Sequence, residues 1–159
     1  MAEPVVPPTL AQTKRLPPLL RRAWYGLNQA FRQRTSHLRI TPDQFSILRW
    51  LSEGDPAGLT QRELTRLMAS DPNTIASTLA RMEKLGWVKR QPHERDKRAN
   101  RVQLLSAGTE LFAQAREIAL ELQHTVMGSL APERRDQFLA DLEQVAEACS
   151  AALLEVKVR

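Results

Sequence analysis

Apolar residues recur at spacings of three and four over most of this chain, and the recurrence is interrupted at positions that suit helix ends. Leu16, Leu20, Trp24, Leu27 and Phe31 mark a first helical stripe, widened by Leu19 and Ala23. It fades around Ser36 to Arg39. Thr41-Pro42-Asp43-Gln44 then supplies a capping threonine, a proline at the first helical position and a glutamine where a capping box needs it. The helix that follows should bury Phe45, Leu48 and Leu51 and stop between Gly54 and Gly58. Thr60-Gln61-Arg62-Glu63 is a second box, opening a helix with Leu64, Leu67 and Met68 on its apolar face. Asp71-Pro72 cuts that helix short and starts another, which carries Ile75, Leu79, Met82 and Leu85 inward before Gly86, a left-handed residue past its end. Two capped helices joined by a short turn are the sequence form of a helix-turn-helix.

Past Gly86 the period changes. Trp87 to Arg90 and Asn100 to Leu105 read as two short strands, the second alternating at Val102 and Leu104. Gln91 to Ala99 between them forms a long charged hairpin tip, with Pro92 opposing further pairing. Ser106 begins a long helix with the stripe Leu111, Ala115, Ile118, Leu122 and Val126. Ala131-Pro132 begins a last one with Phe138, Leu142, Val145, Cys149 and Leu153 inward. The expected fold is mainly α with a small β-hairpin wing. Its divisions are an N-terminal arm (1–13), a first helix (14–40), a winged helix-turn-helix lobe (41–108) and the C-terminal helices (109–159).

Charge sharpens this outline. The 159 residues carry a formal net charge of +5, unevenly spread. Pro4 to Pro42 holds seven basic residues and no acidic one, and Arg81 to Arg101 holds eight basic against three acidic. From Leu105 to Val156 the balance reverses, with nine acidic against three basic. A protein that sets one end on a polyanion needs such polarity, although charge also serves solubility. No apolar run approaches the roughly 20 residues of a membrane span. The proline-rich start lacks the basic region of a signal peptide, so a cytoplasmic protein is expected. The single cysteine, Cys149, excludes an internal disulfide and a Cys-rich zinc site.

The helix from Pro72 to Leu85 has its inner face fixed by its apolar residues. Its other face should present Asn73, Thr74, Ser77, Thr78 and Arg81, short polar groups plus one arginine. That surface suits the ~12 Å wide major groove of duplex DNA, and it equally describes an ordinary solvent-facing helix. The hairpin tip carries Arg95, Lys97 and Arg98 around Asp96. An arginine on such a projection can enter a narrow minor groove, while a charged loop tip also serves solubility.

Leu59-Thr60-Gln61-Arg62-Glu63-Leu64, Asp71-Pro72-Asn73-Thr74, Leu79 to Gly86, Glu94-Arg95-Asp96-Lys97-Arg98-Ala99 and Val102 to Gly108 together resemble the MarR family. The wing pattern Arg-Asp-Lys-Arg with a downstream Leu-Ser-Ala-Gly is the most specific part; the family usually has threonine where Ser106 stands. The resemblance runs from about Leu16 to Leu154. It implies a homodimer interlocked through its N- and C-terminal helices and bound to a pseudo-palindromic operator in double-stranded DNA. It places recognition helices in successive major grooves and wing arginines in the flanking minor grooves. By position, Arg98 is the minor-groove residue with Lys97 beside it. Asn73, Thr74, Ser77 and Thr78 face the groove, and Arg81 lies near the backbone. Dimerisation also follows from the stripes themselves, because three short helices and a wing cannot cover the apolar faces of the flanking helices.

Many members of that family respond to small phenolic or anionic ligands between the dimerisation helices and the DNA-binding lobe. The corresponding side chains are Trp24, Phe31, His37 and Phe45; at helical spacing, Trp24 and Phe31 also read as packing residues. Cys149, on an apolar stripe without a neighbouring cation, is expected to be a buried, inert thiol. His37, His93 and His124 form no ligand pair, so neither a metal nor another cofactor is expected. A phosphate loop, a zinc-hydrolase helix, a nucleophile elbow and paired loop carboxylates are all missing, which argues against an enzyme. The reading is a sequence-specific DNA-binding transcriptional regulator, a repressor released by a small ligand. The rival is a non-specific architectural DNA binder.

Overall fold

The structure, a computed structural model, describes residues 15–92, 94 and 100–155. Among the described residues, contacts divide the chain into two compact units, one ending at Ala119 and the other beginning at Leu120.

In the first unit, α1 (Leu16–Arg34) is followed by a single 3-10 turn, Ser36–Leu38, and by α2 (Pro42–Glu53). The box that opens α2 is closed in both directions. The Thr41 N–H donates to Gln44 Oε1 at 3.0 Å, and the Gln44 N–H donates to Thr41 Oγ1 at 3.2 Å. The helix ends at Gly54. Next come a two-residue strand β1 (Leu59–Thr60), α3 (Gln61–Leu67) and α4 (Pro72–Lys84). Between α3 and α4 the chain turns through Ala69, at a left-handed φ of 46°. The Ala69 and Ser70 N–H groups return to the carbonyls of Arg66 and Thr65, closing the end of α3.

β2 (Val88–Pro92) and β3 (Asn100–Leu104) form the wing base, and β1 pairs with β3 on its other side, giving an antiparallel sheet of order β1-β3-β2. The registers Leu59↔Val102 and Val88↔Leu104 fix this small sheet. Its first strand was not expected from the sequence, since two residues carry no period. Pro92, expected to stop the pairing, instead lies opposite Asn100 as the last residue of an edge strand, where a missing N–H is tolerated.

The core of this unit is Phe31, Ile40, Phe45, Ile47, Leu48, Leu51, Leu64, Ile75, Leu79, Met82, Val88, Val102, Phe112 and Ala115. All three apolar residues expected inside α2 are there. Leu85, expected inward, is 55% exposed, because the chain leaves the helix at that residue. On α1 only Phe31 is buried, while Leu16, Leu19, Leu20, Trp24 and Leu27 lie open.

α5 (Ser106–Met127) runs from the first unit into the second, where α6 (Pro132–Glu155) follows. In the second unit Leu122 is buried, while Leu120, Val126, Phe138, Leu139, Leu142 and Leu153 are exposed. Cys149 is exposed too, which corrects the expectation of a buried thiol: among the described residues, most of the α6 stripe is left open, with Val145 half-buried.

Gly108, from the Leu-Ser-Ala-Gly run, shows why that motif ends in glycine. A Cβ built there would stand 2.2 Å from the Trp87 carbonyl oxygen, which already accepts the Leu105 N–H at 2.9 Å. Both elements are backbone and neither can yield cheaply. Gly108→Ala should therefore cost about 3 kcal/mol by overpacking, seen as a drop of roughly 6–12 °C in thermal midpoint. An unchanged midpoint would show that the start of α5 is not held against Trp87.

Candidate nucleic-acid interface

Asp71 opens α4. Its Oδ1 accepts the Thr74 N–H at 2.9 Å, and its Oδ2 accepts the Thr74 hydroxyl. Those bonds, the hydroxyl first, hold the Asp71 carboxyl below its ordinary range. Glu63 is lowered in the same way by the Thr60 N–H and then the Thr60 hydroxyl, at 2.7 and 2.8 Å. Gln61 Nε2 donates to the Pro72 carbonyl at 3.3 Å, tying the start of α3 to the start of α4.

Along α4, Asn73, Ser77 and Arg81 follow one another at intervals of four, with Thr74 alongside, and all four are exposed. Ser77 donates its hydroxyl to the Thr74 carbonyl at 3.1 Å. Thr78 does not belong with them: it is 5% exposed and sits among Ile75, Leu79 and Met82. Positions 75, 78, 79 and 82 form the i, i+3, i+4, i+7 sector that packs inward, and helix angle overrules side-chain polarity. The remaining stripe is short, polar and singly cationic, and it is fixed by a well-packed inner face.

The wing residues Arg95, Lys97 and Arg98 lie outside the described residues. The base of the wing is described, and it holds two arginines the sequence reading did not single out. Arg101 Nη1 donates to the Gly58 carbonyl at 2.7 Å and lies 3.7 Å from Asp55 Oδ2, fastening the loop before β1 to β3. Arg90 reaches back from β2 to Glu83 and Ala76 of α4. The signal for this second contact was opposite charges seven positions apart across a glycine turn.

The four side chains assigned to a ligand are not brought together as a cavity. Phe31 and Phe45 are core residues, their ring centroids 4.9 Å apart; Phe45 also lies 5.6 Å from Phe112, and the Arg49 guanidinium sits 4.9 Å from the Phe45 ring centroid. Trp24 is 60% exposed on α1 within one copy of the chain, and His37 is exposed in the 3-10 turn. The shallow recess beside Trp24 is lined by α1 alone, through Arg21, Tyr25, Asn28, Gln29 and Arg32. Among the described residues no group of three or more His, Cys, Asp or Glu could hold a metal ion, and no helix is long and apolar enough to cross a membrane.

The sequence profile of the MarR family matches residues 40–99. The Escherichia coli transcriptional regulator HosA is 30% identical over 126 residues, covering 76% of this chain and 92% of HosA. The chain belongs to the MarR family. Solved structures carry the same MarR-type winged-helix fold. The transcriptional repressor CouR, bound to a 23-mer DNA duplex, superposes with a TM-score of 0.77 at 24% identity, covering 85% of this chain and 94% of CouR. The MepR–DNA complex of S. aureus gives 0.76 at 23% identity, covering 82% of this chain and 95% of MepR. This MarR-family chain is thus a winged-helix transcriptional regulator rather than an enzyme.

Proposed function

We propose that the chain binds double-stranded DNA sequence-specifically, as a homodimer on a pseudo-palindromic operator, and represses transcription from it in the cytoplasm. The observation that carries this reading is the exposed stripe Asn73, Thr74, Ser77 and Arg81 on a helix whose opposite face is fully packed. Asn73 and Ser77 suit base edges, and Arg81 suits a phosphate or a guanine edge. Arg95, Lys97 and Arg98 are proposed for the minor groove on their sequence pattern and the family resemblance. CouR and MepR are solved on DNA, which supports the same partner here. Release by a small aromatic or anionic ligand is part of the proposal. Of the residues assigned to it, Trp24 and His37 are exposed within one copy of the chain, whereas Phe31 and Phe45 would need their packing loosened.

Selection of bound sequences from a random duplex pool tests this reading. The expected result is one motif with two-fold symmetry, half-sites about 10 base pairs apart between centres, and preference over unrelated duplexes of ~10³-fold or more. Equal binding to unrelated duplexes would instead identify an architectural binder. Repeating the selection with aromatic carboxylates present should reduce recovery of the motif if a ligand releases the protein.

A further inference from the structure

The contact between α4 and β2 places one ion pair where the two DNA-reading elements join. α4 ends in a tight turn: the Gly86 N–H returns to the Glu83 carbonyl at 3.0 Å, and the Trp87 N–H to the Met82 carbonyl at 3.0 Å. Gly86, at φ 73°, makes that turn possible. Four residues later the strand is caught again. The Arg90 N–H donates to Glu83 Oε1 at 3.2 Å, Arg90 Nε lies 3.6 Å from Glu83 Oε2, and Arg90 Nη2 donates to the Ala76 carbonyl at 3.4 Å. Because β2 is the edge of the sheet, its Arg90 N–H is available to α4. Arg90 shares a strand face with Val88, which is buried, so its stem lies toward the helix and its guanidinium spans two turns of α4.

An ion pair with side chains 30% and 43% exposed adds little to stability. Its geometry does more: a backbone bond and a side-chain bond hold one strand at two heights on one helix. We infer that Glu83 is a positioning residue that sets the wing strand against the recognition helix, so that both elements meet DNA in one register. This inference rests on the DNA-binding reading above. It concerns specificity, because a β2 strand released from Glu83 still brings its cations to phosphates but loses a contact that fixes its place relative to bases read by α4.

Electrostatics alone predicts the opposite sign. Removing a carboxylate from a DNA-facing lobe should strengthen binding to any duplex. With positioning, Glu83→Ala should hold or gain affinity for an unrelated duplex yet lose about tenfold or more for the selected one. Glu83→Gln, which keeps an oxygen for the Arg90 N–H, should fall between Glu83→Ala and the unmodified protein. In a double-mutant cycle, Arg90→Ala combined with Glu83→Ala should lose much less than the product of the single effects.

The experiment is competition binding with the full chain, using the selected duplex and a shuffled one, alongside thermal melting of each variant. A reduced preference with a melting midpoint near that of the unmodified protein supports positioning. An unchanged preference in Glu83→Ala overturns it while leaving the DNA-binding reading intact. A preference that falls only in step with the melting midpoint, with no recovery in Glu83→Gln, also overturns it, as the contact would then be structural alone. If the unmodified protein itself fails to discriminate the duplexes, the DNA-binding reading has failed first.

Discussion

Raising monovalent salt from 50 to 200 mM should weaken binding to the selected duplex by about 10³-fold or more. The reasoning starts from charge and geometry together. The segment Arg81 to Arg101 carries eight basic residues against three acidic, and one of the three, Glu83, is already engaged with Arg90. Arg81 is exposed on the α4 stripe, and Arg62 and Arg66 are exposed on α3. Three to five phosphate contacts from each of two copies make about 6 to 10, and each neutralised phosphate releases most of one condensed counterion. Titration of a labelled duplex at several salt concentrations gives the slope directly. Arg81→Ala should reduce that slope by about one contact per copy. A flat response would mean that these cations serve solubility and that the phosphate-contact reading is wrong.

Much of the fold was legible because its boundaries are chemical. Thr41 with Gln44, Thr60 with Glu63, and Asp71 before Pro72 are caps whose bonds are made as their spacing implies. Gly86 has the positive φ its place after α4 requires. Elements without such signals were harder to read. β1 is two residues long and exists only because β3 offers a second edge. Thr78 is polar yet buried, because its angular position on the helix outweighs its polarity. The Glu83–Arg90 contact joins two elements, and a pattern within either one cannot reveal it. The α4 stripe was therefore largely readable from the sequence, whereas the coupling of that helix to the wing left only opposite charges at Glu83 and Arg90 on either side of Gly86, a pair that acquires meaning once the strand is seen folded back on the helix.

Leu27→Glu and Leu142→Glu should each break the protein into monomers at micromolar concentration. Both leucines are exposed within one chain, at 39% and 38%. In a monomer, substitutions at such positions change stability by about 0.5 kcal/mol or less. Each belongs, however, to an exposed apolar face. On α1 the face includes Leu16, Leu19, Leu20 and Trp24, and on α6 it includes Phe138, Leu139 and Leu153. Faces of this kind mark interaction sites on soluble proteins, and in a homodimer every substitution enters twice. Two carboxylates buried without partners cost several kcal/mol, and about 4 kcal/mol corresponds to a 10³-fold weaker dimer. Sedimentation equilibrium reads the mass, and melting at fixed concentration reads the linked loss of stability. DNA binding should fall with the dimer, because one copy offers a single recognition helix to a two-part site. If both variants sediment and melt like the unmodified chain, these faces are ordinary surface, and the paired half-site geometry must be given up with them.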